Sequence, residues 1–481
     1  MEVRTRIAPS PTGEDLHIGN LYTALINWAF ARKNNGQFVV RIEDTDRERY
    51  VKGAEATILN SIKAFGLNPD ESPEIGGPYA PYRQSERLDL YKKYANELVE
   101  KDLAYKCYCS KEKLEQIRNE QATAKTKKNH REYCDTSATG DKYVIRLKVP
   151  ANENITFQDL IRGDITISSN ELDDQVLLKS DGFPTYHLGV VVDDYLMKIS
   201  HVIRAEEWIS STPKHVLLYK ALGWELPIFV HLPILRNSDK SKLSKRKNPV
   251  WVSWYLAEGY LPEAILNYLC LMGWAHPEQK EIFSLEEFID KLDLKDFSPV
   301  GPAFDQVKLD WMNGEYIRNM SDEDLAKNLE AYLKDIDHIS KNIPPKEILM
   351  KLVPLIKERI KKLSDFIPLT DFIFGKPEYD MNVFNKLKVD DKKSALQKIS
   401  EKLQTLQSPW KSADFEEAFK ALAVDLKISN LDMFQLIRVA VAGQLVTPPI
   451  FELIEILGEE EAKTRIADAM KFIENPEEVK Y

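Results

Sequence analysis

Residues 3–31, VRTRIAPSPTGEDLHIGNLYTALINWAFA, decide the fold. Val3 to Ala8 reads as a strand, and Leu21 to Ala31 sets Leu21, Leu25, Trp28 and Ala29 on one face of a helix. Pro9 to Asn20 therefore forms a strand-to-helix turn, where unpaired backbone N–H groups and the helix dipole favour an anion. Gly13 and Gly19 allow a tight turn and close approach of a ligand to the backbone. His17 and Asn20 can donate hydrogen bonds to phosphate oxygens. Alone, so short a motif is more often a helix cap with incidental polar residues.

A second segment changes that balance. SKLSKRK, Ser241 to Lys247, follows a predicted strand, Ile228 to Leu235, and Lys240, Lys242, Lys245, Arg246 and Lys247 crowd a serine-rich stretch. Such a run is usually a solvated loop. Beside a phosphate-binding turn it has a more specific use, neutralising the charge that builds on a departing pyrophosphate. The two segments read as halves of one ATP phosphate site.

Outward from this pair the α/β rhythm continues with the strand Phe38 to Ile42 and the helix Ala54 to Phe65. Proline and glycine cluster at Pro69 to Pro81, and a helix, a basic helix and short strands follow. After Pro184 the rhythm resumes with a helix near His187 to Lys198, the strand His201 to Arg204 and the helix Thr212 to Leu222. This predicts a parallel-sheet nucleotide fold interrupted by an insertion. From Val250 onward the sequence is almost entirely helical, with Pro262, Pro302 and Pro344 suited to helix starts or breaks.

The 481 residues suggest two to four domains, and 43% hydrophobic content is enough for several cores. A net charge of −10 excludes a wholly basic nucleic-acid coat. Local patches can still meet phosphates, because charges are screened within about 8 Å. Lys111 to Glu132 and Lys341 to Leu363 are candidate patches, each equally readable as a solvated helix face. The N-terminus has no secretory or transit pattern, no apolar run spans a bilayer, and four cysteines do not suggest a disulfide scaffold. A soluble cytoplasmic protein without a membrane partner is expected.

PSPTG with HIG, then RIEDTD (Arg41 to Asp46), YRQSERLDLY (Tyr82 to Tyr91), KSDGFPTYHL (Lys179 to Leu188), VIRAEEW (Val202 to Trp208) and KLSKR (Lys242 to Arg246) resemble a bacterial-type glutamyl-tRNA synthetase. That family belongs to the class I aminoacyl-tRNA synthetases. LNYLCLMGW and FDQVKLDWMNGEYIR carry the similarity past residue 315. The resemblance implies a Rossmann-type catalytic domain, residues 1–75 and 185–247, split by an inserted α+β domain, 76–184, that holds the tRNA acceptor end. All-α domains would follow: a stem-contact domain (248–318) and two anticodon-binding domains (319–378 and 379–481). Glutaminyl relatives carry β-barrels instead, which a helical C-terminal half disfavours.

The implied activity is ligation of L-glutamate to tRNA(Glu) through glutamyl-adenylate, with ATP as substrate, Mg²⁺ and a monomeric enzyme. Alternatives are a form that also charges tRNA(Gln) and a non-catalytic tRNA-binding paralogue. Retention of both phosphate segments disfavours the paralogue. A truncated relative that glutamylates a tRNA base is disfavoured by the long helical half.

Glutamate's carboxylates call for fixed cations and its ammonium for an anion or carbonyl. The resemblance assigns these contacts to Arg6, Ser10, Glu43, Tyr186 and Arg204, with the backbone of Ala8. Without it, Arg6, Arg41, Glu43 and Arg204 read as structural ion pairs at a sheet edge. For ATP it implies His17, Gly19 and Asn20 at the phosphates, Glu207, Trp208 and Leu235 around the nucleoside, and Lys242 and Lys245 on the triphosphate. His17, Lys242 and Lys245 would serve catalysis by stabilising charge. Three features depart from the family pattern: three residues rather than two between Gly13 and His17, Asn20 in place of a second histidine, and no asparagine at His187 or Val190.

Cys107, Cys109, His130 and Cys134 form a candidate zinc set, with small buried cysteines as the alternative. Cys270 reads as core. Arg359, on the basic helix, would read the third anticodon base.

Overall fold

The computed structural model describes residues 2–124, 130–135, 138–243, 249–336, 343–406 and 410–476. Lys245, with its neighbours Arg246 and Lys247, lies outside the described residues. The chain forms two compact units, Met1–Ala257 with Pro262–Leu309, and Glu258–Leu261 with Asp310–Tyr481.

In the first unit the elements run β1 (Arg4–Ile7), α1 (Ile18–Lys33), β2 (Gln37–Val40), α2 (Ala54–Ala64), α3 (Leu88–Glu100), β3 (Ala104–Cys107), α4 (Lys111–Ala124) and β4 (Val144–Leu147). Then come β5 (Asn154–Asp159), β6 (Gly163–Ser168), β7 (Val176–Leu178), α5 (Tyr186–Leu196), β8 (His201–Ala205), α6 (Thr212–Leu222) and β9 (Ile228–Leu232). β1 pairs in parallel with β2, Arg6 opposite Val39. β8 pairs in parallel with β9. β1 lies against β8, joined where the Ser200 N–H donates to the Arg4 carbonyl at 3.0 Å. The carboxyl ends of these four strands therefore face one edge, where open α/β sheets bind ligands. β3, β4 and β7 form a separate antiparallel sheet. The β5–β6 hairpin, within the stretch expected as an insertion, joins β9 at Asp159 opposite Phe229.

α1 differs from its expected single apolar face. Ten of its residues are buried, including Tyr22, Thr23, Ile26 and Asn27, while Trp28 is only half-buried. The helix packs on β1 and β8 and is covered by the helices Pro262–Cys270 and Leu285–Lys291, so it has little solvent face.

Among the described residues no strand follows Leu232. In the second unit some helices begin on side-chain caps: Ser321 accepts from the Asp324 N–H, Asp391 from Ser394 and Ser429 from Asp432. Buried Arg465 donates to the carbonyls of Phe372, Gly375 and Val441 and so ties three segments together. No described helix is long and apolar enough to cross a membrane.

Candidate active site

The turn after β1 is held from both sides. His17 caps α1, its Nδ1 accepting from the Gly19 N–H at 3.0 Å, which leaves the proton of a neutral ring on Nε2. Glu14 bulges into solvent, while buried Asp15 accepts from the Leu16 N–H (2.6 Å), the Ser61 hydroxyl (2.7 Å) and the Ser253 N–H (2.8 Å). A Cβ at Gly13 would stand 2.7 Å from the Trp251 ring, so glycine is required by close approach. Ile18 N–H donates to Val250 O at 2.7 Å and Val252 N–H to Leu16 O at 3.1 Å. The strand-to-helix turn and the chain just after the lysine-rich segment are thus joined.

A pocket of about 270 Å³ is lined by His17, Gly19 and Asn20 at this helix start and by Glu207, Leu235 and Lys242. The Lys242 ammonium pairs with the Glu207 carboxylate.

A larger pocket, about 720 Å³, adjoins it and shares Asn20 and Glu207. Arg6, Ala8, Ser10, Glu43, Tyr186 and Arg204 line its wall, as does Trp208, whose ring lies 4.2 Å from that of Tyr186. The cations here differ in kind. Arg6 is paired with Asp194 (3.1 Å), and Arg41 bridges Asp194 (2.8 Å) and Glu43 (3.1 Å). Burial alone would raise the Asp194 pKa, but Arg6 and Arg41 hold it below the usual range. For Glu43 burial prevails over Arg41 and pushes the carboxyl up to about 7.

Arg204 has no carboxylate partner among the described residues, although it is only 4% exposed. Its neighbours are neutral acceptors: Tyr186 Oη (3.3 Å), Thr212 Oγ1 (2.9 Å), His231 Nε2 (3.2 Å) and His215 Nδ1 (3.2 Å). A buried cation without an anion is costly, and an anionic ligand would relieve it.

Sequence reasoning missed Asp193 and Asp194. Asp193 accepts from Arg87 (2.7 Å), Tyr91 (2.8 Å) and Gln84 (2.9 Å), joining α3 to α5. The available signal was two adjacent acids in an otherwise apolar helix, GVVVDDYL. His215, His231 and Asp159 were missed too, and no local pattern marks them.

The model for "tRNA synthetases class I (E and Q), catalytic domain" matches residues 2–311, and that for "Anticodon binding domain" matches 324–470. A glutamate–tRNA ligase from Dehalococcoides mccartyi is 46% identical, the match covering 98% of this chain and 97% of that one. One from Thermus thermophilus is 45% identical over 97% and 100%. This chain belongs to the glutamate–tRNA ligase family. A crystal structure of a glutamate tRNA ligase from Elizabethkingia meningosepticum in complex with its amino acid has a TM-score of 0.85 at 36% identity, covering 98% of this chain and 99% of that one.

Two further parts of this family member matter. The donor atoms of Cys107, Cys109, His130 and Cys134 all lie within 4.8 Å of one another. Cys107 Sγ is 3.3 Å from His130 Nε2, and Cys109 Sγ is 3.6 Å from Cys134 Sγ. Tetrahedral zinc with bonds of about 2.3 Å needs S···S separations of about 3.8 Å. The residues fit that ion. His130–Glu132 makes a single 3₁₀ turn, which brings His130 and Cys134 to the set.

Arg359 is not on the basic helix. Lys346–Ile356 ends before it, and Arg359 is an exposed turn residue whose N–H donates to Ile356 O at 2.7 Å. The turn buries Ile360 directly after Arg359 and leaves the arginine outside. Half-buried Arg438 lies near enough for Arg359 to lower its pKa further, after burial.

Proposed function

We propose that this chain ligates L-glutamate to tRNA(Glu) in two steps, with MgATP as co-substrate. A glutamate α-carboxylate oxygen attacks the α-phosphorus in line, the bond to pyrophosphate breaks, and glutamyl-adenylate forms. A terminal ribose hydroxyl of tRNA then attacks the adenylate carbonyl and AMP leaves. The observation that carries this reading is Arg204, a buried guanidinium lining the large pocket with no carboxylate ion pair among the described residues. It is the group a substrate carboxylate would neutralise.

Arg6, Ser10, Tyr186 and the Ala8 backbone complete the glutamate pocket, and ionised Glu43 takes the ammonium. His17, Gly19, Asn20, Glu207, Trp208 and Leu235 hold ATP. Lys242, on leaving Glu207, and Lys245 neutralise the triphosphate as pyrophosphate departs. Catalysis is then positioning and charge stabilisation, with little acid–base work. Bound tRNA is required for efficient activation.

Residues 1–75 and 185–247 form the catalytic domain, 76–184 receive the acceptor end, 248–318 contact the stem, and 319–378 with 379–481 take the anticodon. Arg359 reads its third base, favouring tRNA(Glu) over tRNA(Gln). Cys107, Cys109, His130 and Cys134 hold a structural zinc, which cross-links the segment and takes no part in the reaction. The enzyme acts as a cytoplasmic monomer.

Glutamate-dependent exchange between ATP and pyrophosphate, measured with and without tRNA, tests the reading; no exchange in either condition would refute it. Lys245→Ala should slow exchange by about 100-fold while leaving tRNA affinity within about 3-fold. Charging purified tRNA(Glu) and tRNA(Gln) side by side tests the discrimination.

A further inference from the structure

Arg204 is surrounded by groups whose protonation its own hydrogen bonds dictate. It donates from Nε to His231 Nε2, from Nη1 to His215 Nδ1 and Tyr186 Oη, and from Nη2 to Thr212 Oγ1. A guanidinium offers only donors, so both imidazole nitrogens facing it must be bare acceptors. The protons then sit on the far nitrogens, and each has a taker. His231 Nδ1–H donates to Asp159 Oδ2 at 2.7 Å, and His215 Nε2–H donates to His187 Nδ1 at 3.0 Å.

Asp159 is fixed in turn by the backbone N–H groups of Ile161, Arg162 and His231, each at 3.0 Å. The Thr212 hydroxyl donates to Trp208 O at 3.0 Å, which leaves its oxygen to accept. His215, His231 and Asp159 are at most 2% exposed. No solvent molecule can substitute for a lost acceptor without rearrangement.

We propose that His187, His215, His231 and Asp159 are positioning residues that lock two imidazole tautomers and thereby aim Arg204 and the Tyr186 hydroxyl at the substrate carboxylate. With Tyr186 Oη accepting from Arg204, its own O–H turns to a second acceptor, and Nη2 keeps one N–H. These two donors are what a carboxylate in the pocket receives. β5 therefore serves the amino-acid site through Asp159, although it contributes nothing to the pocket lining. His187, where the family pattern often has asparagine, here supplies the outer end of the network. The inference rests on the reading of Arg204 as the carboxylate-binding residue.

The test uses the full-length enzyme and glutamate-dependent pyrophosphate exchange at saturating tRNA(Glu). His215→Leu removes the acceptor but keeps the bulk, and should raise KM for glutamate about 30-fold with kcat within about 3-fold and KM for ATP unchanged. His215→Asn, whose Oδ1 can stand where Nδ1 stood, should return KM to within about 5-fold of the parent. Equal KM values for the Leu and Asn variants, or a fall in kcat at constant KM, would overturn the proposal. Arg204→Gln separates the two levels: if it leaves KM for glutamate unaltered, the reading of Arg204 itself fails.

Should His215→Leu not fold, half-buried His187→Leu should raise KM in the same sense by about 3- to 10-fold. Nitrogen-15 spectra of the histidines in the unaltered protein give a readout independent of activity. His231 should appear as the neutral Nδ1–H form and His215 as the Nε2–H form. The opposite tautomer at either residue would overturn the network.

Discussion

Glu43 is a buried carboxyl, and the cost of its charge depends on pH. Glu43 titrates at about 7 because burial outweighs the attraction of Arg41. A folded-state pKa above the unfolded value means the native state holds the proton more tightly, so this group destabilises the fold as pH rises from about 4.5 through 7. Glu43→Gln mimics the protonated form and leaves Arg41 with Asp193 and Asp194. It should stabilise the ligand-free enzyme by on the order of 1–3 kcal/mol at pH 8 and by little at pH 5. Thermal melts at both values measure this; an equal shift at the two would refute it. The same change should cost at least about 10-fold in glutamate KM, since glutamine has no charge to offer an ammonium. The sequence made the residues on strand ends legible, because Arg6, Glu43 and Arg204 stand at predictable places on β1, after β2 and on β8. It hid their partners. Asp194, His215 and His231 act across the fold, and no spacing within the chain reports distances between α5, α6 and β9.

At the scale of elements, what was legible depended on how much of the pattern was local. Thr212–Leu222 is a helix with both ends as expected, since Pro213 and Gly223 mark them in the sequence. α1 was found, but not its burial on all sides, which comes from helices more than 200 residues later. The sheet membership of β5 was hidden for the same reason. The Cys107–Cys134 set depends on closure across the chain too, its donor atoms lying within 4.8 Å of one another, and a metal bound there would cross-link the segment. Protein grown with zinc should carry about one equivalent, and Cys109→Ser should lose it. Melting temperature should fall in that variant, with tRNA charging reduced more than pyrophosphate exchange, because the set lies in the segment assigned to the acceptor end. Zinc-free protein of unchanged melting temperature would instead support buried cysteines without metal.

For the whole molecule, the question is how a chain of net charge −10 binds a polyanion. Net charge acts at long range and is screened within about 8 Å at physiological salt, so the affinity must come from local contacts. Candidate cations in the second unit include exposed Arg359 and half-buried Arg438, for which no carboxylate pair is seen among the described residues. Each phosphate neutralised by such a group releases counterions, and a handful of contacts makes binding strongly salt-dependent. The proposed amino-acid site obeys different physics, because Arg204 is only 4% exposed and a carboxylate held against it is screened much less than a surface charge. Raising KCl from about 50 to about 200 mM should therefore raise KM for tRNA at least about 10-fold. KM for glutamate, measured at saturating tRNA, should change by less than about 2-fold. A tRNA KM insensitive to salt would mean that stacking and shape rather than phosphate pairing hold the nucleic acid. Parallel salt sensitivity of both constants would mean that the carboxylate is bound by surface cations, and Arg204 would lose its role.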